Sequence, residues 1–298
     1  MRLIVIAGPT GTGKSALALR LAQTIDGEIV NYDSVQIYKG FDIGSAKPSL
    51  EERSLVPHHL YDIVEADQEF NAADYAKVAR GVCSKIHTPV LAGGTFFYLR
   101  ALLGGLPEMP GRDEGIRARI RAIAKKPRGA ERLHRWLSKI DPRSGRKIAP
   151  NDRHRVERAL EVWLTSGRPI SSWERGAADE LPSIKIALTL ERARLHEVLD
   201  RRVDAMYAAG LVEETRALLE KYPHTARPFG TIGYKEAAAV VRGDIALDTA
   251  IAETKRRTRA YAKRQMTWLR SERNVQWLDA TDKEKTFAAA LRLIEGKR

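Results

Sequence analysis

Eight consecutive residues near the start of the chain, Gly8-Pro9-Thr10-Gly11-Thr12-Gly13-Lys14-Ser15, have the types and spacing needed to hold a phosphate chain. They match the pattern G-x-x-x-x-G-K-[ST]. Glycines let the backbone curl so that N–H groups point inward at phosphate oxygens, and a following helix adds partial positive charge. Lys14 supplies a full charge, and the Ser15 hydroxyl suits Mg2+. A di- or triphosphate is therefore the expected ligand. Loops of this kind that work on a nucleoside triphosphate usually have an acid after a later hydrophobic strand. Here Pro89-Val90-Leu91-Ala92 runs into Gly93-Gly94-Thr95 with no acid, which counts against ATP as donor. The nearest acid at a strand end is Asp33, nineteen residues after Lys14. It is expected beside the phosphate loop, either as a chemical group or as a turn residue.

The elements that must position these residues follow from periodicity. Residues 2–7 (RLIVIA) read as a buried strand closed by Gly8-Pro9, and Leu17, Leu21 and Ile25 mark a helix after the loop. Further strands are expected at 28–32, 87–93, 185–190 and 275–278, with Thr95 as N-cap of a helix through Leu103. Strands alternating with helices argue an α/β fold with a parallel sheet. Leu106-Pro107-Glu108-Met109-Pro110-Gly111 reads as a linker, and residues 113–173 are helical in pattern with little strand signal. The expected organisation is a P-loop NTPase-like α/β core, 1–108 with 183–298, flanked by helices and interrupted by a helical insertion domain at 109–182. Four more helices are expected near 192–209, 211–221, 232–242 and 246–270.

Charge distinguishes the two parts. The 298 residues carry a net charge of +13, yet residues 1–110 hold 10 Lys/Arg against 12 Asp/Glu. Residues 111–160 hold 16 against 6. A block this basic is expected to meet a polyanion, nucleic acid first, unless it is simply a solvated helical surface. At 43% hydrophobic and 30% charged the chain can bury a core, so global disorder is excluded. The lone Cys83 excludes an internal disulfide framework and a Cys-rich zinc site. The run Leu3–Ala7 is too short for a membrane span or a signal h-region, so a cytoplasmic protein is expected, with a monomer as the default.

Six blocks in order carry a family resemblance: GPTGTGKS (8–15), DSVQIYKGFDIGSAKP (33–48), AGGTFFYLRALLGGL (92–106), NDRHRVERALEV (151–162), GTIGYKE (230–236) and AKRQMTWLR (262–270). Together they resemble the tRNA dimethylallyltransferases. The resemblance implies transfer of a dimethylallyl group from dimethylallyl diphosphate to N6 of adenosine 37, in tRNAs reading codons that begin with U. The products are N6-isopentenyladenosine and pyrophosphate. It implies that Asp33 takes the amine proton, that Thr95 belongs to the active site, and that Lys14, Mg2+ on Ser15 and an arginine serve the diphosphate. Alignment through Met206 makes that arginine Arg202, with Arg201 as the alternative. The implied tRNA contacts are Asp33, Ser34, Val35 and Gln36, with Thr95 and Arg117. They continue with His154, Arg155, Val156, Glu157 and Arg158, then Gly230, Thr231, Ile232, Gly233, Tyr234 and Lys235. Gln36 is expected to read an adenine edge and Tyr234 to stack on a base. Three other functions remain open from sequence: a P-loop small-molecule kinase, an adenylate isopentenyltransferase acting on free nucleotides, and a non-catalytic RNA-binding P-loop protein.

Overall fold

Strand β1 (Leu3–Ala7) is buried along its whole length, and the apolar run needs that burial on both faces. The phosphate loop leads from it into α1 (Lys14–Ile25), whose Leu17, Ala18 and Leu21 pack inward. The chain continues through β2 (Glu28–Asn31), α2 (Leu50–Ser54), β3 (His58–His59), α3 (Ala72–Cys83), β4 (Pro89–Ala92) and α4 (Phe96–Gly104). Next come α5 (Glu114–Ala124), α6 (Gly129–Ile140), α7 (Pro142–Lys147) and α8 (Arg153–Ser166). After β5 (Ser183–Thr189) lie α9 (Arg192–Ala208), α10 (Leu211–Lys221), α11 (Tyr234–Val241), α12 (Leu247–Arg270), β6 (Val275–Asp279) and α13 (Lys283–Glu295). This is a computed structural model, and it describes residues 2–173 and 180–296. Residues 174–179, near the end of the insertion expected from sequence, lie outside the described residues.

The six strands form one parallel sheet in the order β3-β2-β4-β1-β5-β6. Ile4 and Ile6 of β1, Val90 of β4, and Ile184, Ile186 and Leu188 of β5 join Leu17 and Leu21 of α1 in the core. The chain divides into two compact units, Met1–Leu103 with Glu180–Arg298, and Gly104–Asp179. The second unit has its own core, formed by Ile120, Leu133, Leu137, Val156 and Leu160. Among the described residues no helix is long and apolar enough to cross a membrane.

Candidate active site

The sheet order explains why residues far apart in sequence meet. Loops leaving the C-terminal ends of β2, β4 and β1 stand in a row, and that edge is where an open parallel sheet binds ligands. The β2 loop carries Asp33, the β4 loop carries Gly93-Gly94-Thr95, and the β1 loop is the phosphate loop. The β4 turn therefore lies between Asp33 and the phosphate loop. Gly94 leaves room for the carboxylate: a Cβ there would lie 2.9 Å from Asp33 Oδ2. Gly93 is equally constrained, since its Cβ would sit 2.6 Å from the Tyr32 carbonyl carbon.

In the phosphate loop, Gly8, Gly11 and Gly13 take positive φ values of 146°, 84° and 83°, which side chains resist. A Cβ on Gly11 would also come within 2.8 Å of Leu199 Cδ2. Helix α9 thus packs on the loop, and Arg202 lies one turn beyond Leu199 on the same face. Lys14 is buried, and its Nζ donates to the Pro9 carbonyl at 2.8 Å. Burial, reinforced by the like charge of Arg202 and opposed by Asp33, pushes its ammonium pKa down to about 7. Burial also lowers the Arg202 pKa, against the attraction of Asp33. These mutual effects mean that Lys14, Asp33 and Arg202 share one electrostatic site. Arg201 is exposed, with its Nε on the Glu197 carbonyl at 3.4 Å, so the arginine facing the loop is Arg202.

Asp33 is held by its neighbours. Its N–H donates to Asn31 Oδ1 at 2.8 Å, and its Oδ1 accepts from Val35 N–H at 2.9 Å. Burial raises its pKa, while the amides of Val35 and Gln36 and the charges of Lys14 and Arg202 pull the other way. The Thr95 carbonyl opens α4 by accepting from Tyr98 N–H at 2.9 Å. Its hydroxyl does not serve as the expected helix cap. It accepts from Ser34 N–H and donates to Ser34 Oγ, both at 3.0 Å, tying the β4 and β2 loops together.

Several residues have work that differs from the expectation. Tyr234 cannot stack on a base: it is fully buried, edge-on to Phe41, and donates to Glu214 Oε1 at 2.6 Å. Its hydroxyl accepts from Gly44 N–H, and Glu214 also accepts from Ile43 N–H at 2.8 Å. The pair braces the 41–46 loop. Tyr234→Phe is therefore expected to cost about 1–2 kcal/mol in denaturant unfolding, as loss of a buried bond does, although it keeps the ring. The Gln36 amide nitrogen donates to the Ser45 and Ala46 carbonyls at 3.1 Å each, so this donor is engaged within the loop and does not face a base. Gly233 is buried, and the Thr231 hydroxyl is bonded to the Pro228 carbonyl. Ile232 is half-buried, leaving Gly230 and Lys235 as the exposed positions of that stretch.

In the helical unit Val156 is a core residue, not a surface contact, because its apolar side chain packs with Ile120 and Leu160. Glu161 is fully buried and accepts from Arg117 at 2.8 and 3.0 Å and from Arg158 at 2.7 Å. Burial alone would raise its pKa, but these guanidinium bonds and the Asp113 N–H hold it down to about 2. Glu157 pairs with Arg121 at 2.9 Å. Arg117 and Arg158 are thus engaged within the unit, whereas His154 and Arg155 are exposed. Arg155→Glu is expected to weaken tRNA binding and reduce its salt slope by about one. Arg158→Ala is instead expected to lower stability by about 2–3 kcal/mol, because a buried carboxylate loses a partner. Filter binding across a salt series and denaturant unfolding separate the two effects.

Two further side chains at the site were given no role by the sequence: Tyr261 lies outside the six blocks, and Gln265 lies inside the 262–270 block without a function assigned to it. Tyr261 and Gln265 of α12 both donate to the Gly94 carbonyl, at 2.9 and 2.8 Å. Their i, i+4 spacing puts them on one helix face, but only the fold shows which face that is. Among the described residues no group of three or more His, Cys, Asp or Glu is placed to hold a metal. Mg2+ bound through one protein hydroxyl, phosphate oxygens and water needs no such group. Ser15, exposed at the start of α1, fits that mode.

The family profile described as IPP transferase matches residues 36–272, and that described as isopentenyl transferase matches residues 1–61. A tRNA dimethylallyltransferase of Geobacter metallireducens is 46% identical over 286 residues, covering 93% of this chain and 92% of that protein. One from Solibacter usitatus is also 46% identical, with the same coverage of both chains. Among solved structures, the tRNA isopentenylpyrophosphate transferase of Bacillus halodurans superposes with a TM-score of 0.74 at 37% identity, covering 99% of this chain and 96% of that one. A eukaryotic dimethylallyltransferase acting on tRNA gives a TM-score of 0.80 at 28% identity, covering 99% and 80%.

Proposed function

This chain belongs to the IPP transferase family, and from that premise we propose how it works as a tRNA dimethylallyltransferase. The enzyme is a prenyltransferase that acts on tRNA. Its donor is dimethylallyl diphosphate and its acceptor is N6 of adenosine 37, giving N6-isopentenyladenosine and pyrophosphate. It acts in the cytoplasm as a monomer. The observation that supports this reading most is the convergence of three elements: Lys14 in the phosphate loop, Arg202 on the helix packed against Gly11, and Asp33 closing on Gly94. Two cations suit a departing diphosphate, and one carboxylate suits an amine that must lose a proton.

The steps follow from those groups. The loop amides, Lys14 and Arg202 bind the diphosphate and stabilise the negative charge that builds on it as the allylic C–O bond breaks. The allylic carbon ionises readily, so placement does much of the remaining work. Mg2+ held by Ser15 would add charge neutralisation on the same oxygens. The adenine amine is a weak nucleophile because its lone pair is delocalised into the ring. As the N6–C bond forms, Asp33 Oδ2 accepts the N6 proton, and the raised pKa of this carboxylate makes it a stronger base than an exposed one. The target base must leave the anticodon-loop stack to reach this site. The exposed cations of the helical unit, such as Arg155, supply the tRNA docking charge.

One assay tests the whole reading. The protein is incubated with Mg2+, labelled dimethylallyl diphosphate and a tRNA whose bases 36 to 38 are A-A-A. Label in the tRNA is the expected result. Label in free AMP alone, or phosphate transfer from ATP, overturns it.

A further inference from the structure

The phosphate loop and the Asp33 site lie on different strands, with β4 between them, and their separation must be fixed. The donor carbon has to travel from the diphosphate to N6, and a 1 Å misplacement can cost about 10²-fold in rate. One side chain spans the gap. Gln265 is 3% exposed; its Oε1 accepts from Thr10 N–H in the phosphate loop at 2.8 Å. Its Nε2 donates to the Gly94 carbonyl, also at 2.8 Å. Gly94 is the residue whose missing Cβ leaves room for Asp33 Oδ2, and that same Cβ position is 3.1 Å from Gln265 Nε2.

The chemistry of this bridge is specific. One partner is an N–H and the other a C=O, so the connector must accept at one atom and donate at the other. A neutral carboxamide does both, an ionised carboxylate only accepts, and a thioether does neither. Each bond also fixes which end of the amide is oxygen. Tyr261 supports the carbonyl end, where its hydroxyl donates to the Gly94 carbonyl at 2.9 Å. Gln265 therefore connects the phosphate loop to the Gly94 turn against which Asp33 Oδ2 lies.

We infer that Gln265 is a positioning residue that sets the distance between the diphosphate and the Asp33–adenine site by tying Thr10 to Gly94. The inference rests on the proposed prenyl transfer. Without the bridge the phosphate loop keeps its glycines and Lys14, so the diphosphate still binds, but its allylic carbon is displaced from N6. The loss falls mainly on kcat.

Gln265→Met keeps the volume and removes both bonds. Steady-state transfer of labelled dimethylallyl to tRNA is expected to show kcat reduced by about 10- to 100-fold. KM for the diphosphate substrate should change by less than about fivefold, and tRNA affinity should stay within about twofold. Gln265→Glu keeps the acceptor for Thr10 and regains the donor to Gly94 only when protonated. Its kcat relative to wild type is therefore expected to rise as pH falls, a response that a purely structural role does not give. The Glu variant also serves if the Met variant does not fold. An active wild type beside a Gln265→Met protein with wild-type kcat overturns this inference alone, as does a pH-independent ratio for Gln265→Glu. A wild type that never labels tRNA overturns the prenyl-transfer reading and the inference with it.

Discussion

Asp33→Asn is expected to lower kcat for prenyl transfer by about 10²-fold or more while leaving tRNA affinity essentially unchanged. The asparagine is nearly the same size, its backbone N–H still donates to Asn31, and its amide oxygen can still accept from Val35 N–H. What disappears is the acceptor for the N6 proton. The pH profile provides a second check with a definite sign. A base works only when deprotonated, so wild-type kcat should fall as pH drops through the Asp33 pKa. Burial places that pKa above the ordinary aspartate value, so the acid limb should appear at higher pH than for an exposed carboxylate. In Asp33→Asn this limb should vanish. A variant with unchanged kcat, or one that keeps the same acid limb, rejects Asp33 as the base.

Lys14→Met is expected to lower kcat/KM for dimethylallyl diphosphate by about 10²- to 10³-fold, the scale seen when one charge-stabilising donor is removed from an active site. The unusual state of Lys14 adds a calorimetric signature. Burial and the neighbouring Arg202 push its pKa down to about 7, so at pH 8 most molecules hold it neutral. An arriving diphosphate favours the ammonium and draws a proton from solvent. Binding at pH 8 should therefore take up most of one proton per site. Titrations in buffers of different ionisation enthalpy measure this directly. In Lys14→Met the uptake should be gone; if it persists, another group is titrating and the assignment fails.

Much of this was legible before any fold was known, and the parts that were share a cause. The phosphate loop is a local device: strand, glycines, Lys14 and Ser15 are contiguous, and the backbone conformation they need is encoded in the same eight residues. Strands β1, β2, β4 and β5 each have an apolar run long enough to read. Helices α2 and α13 are not among the expected elements, and neither are β3 and α3, which differ in the signal they carry. Strand β3 is two residues long and has no period to detect. Helix α3 did carry a signal, the Asn71–Asp74 capping box before Ala72, Tyr75, Ala79 and Cys83 at helical spacing, which had been passed over.

The block from Asp33 to Pro48 illustrates the limit of a motif. It pointed to the family and to Asp33, yet several of its polar residues serve the loop itself. Gln36 donates to two carbonyls, and Lys47 is almost wholly buried between Asp42 and Asp62, 2.5 Å from each. A motif records which residues are needed without saying whether a ligand or the backbone needs them. The same ambiguity misplaced Tyr234 as a stacking ring.

The parallel α/β class, the family, the phosphate-loop pattern and the place of Asp33 at a strand end were legible in the residues alone, because these depend on neighbours along the chain. Only the tertiary structure decided which arginine faces the loop, which cations of the helical unit are engaged with Glu161, and that Gln265 joins Thr10 to Gly94. Most of those depend on which residue lies opposite across more than forty positions of chain, while Arg158 and Glu161 are three apart and there the burial of Glu161 decides. Strand order and helix packing settle that question, and local spacing carries no record of it.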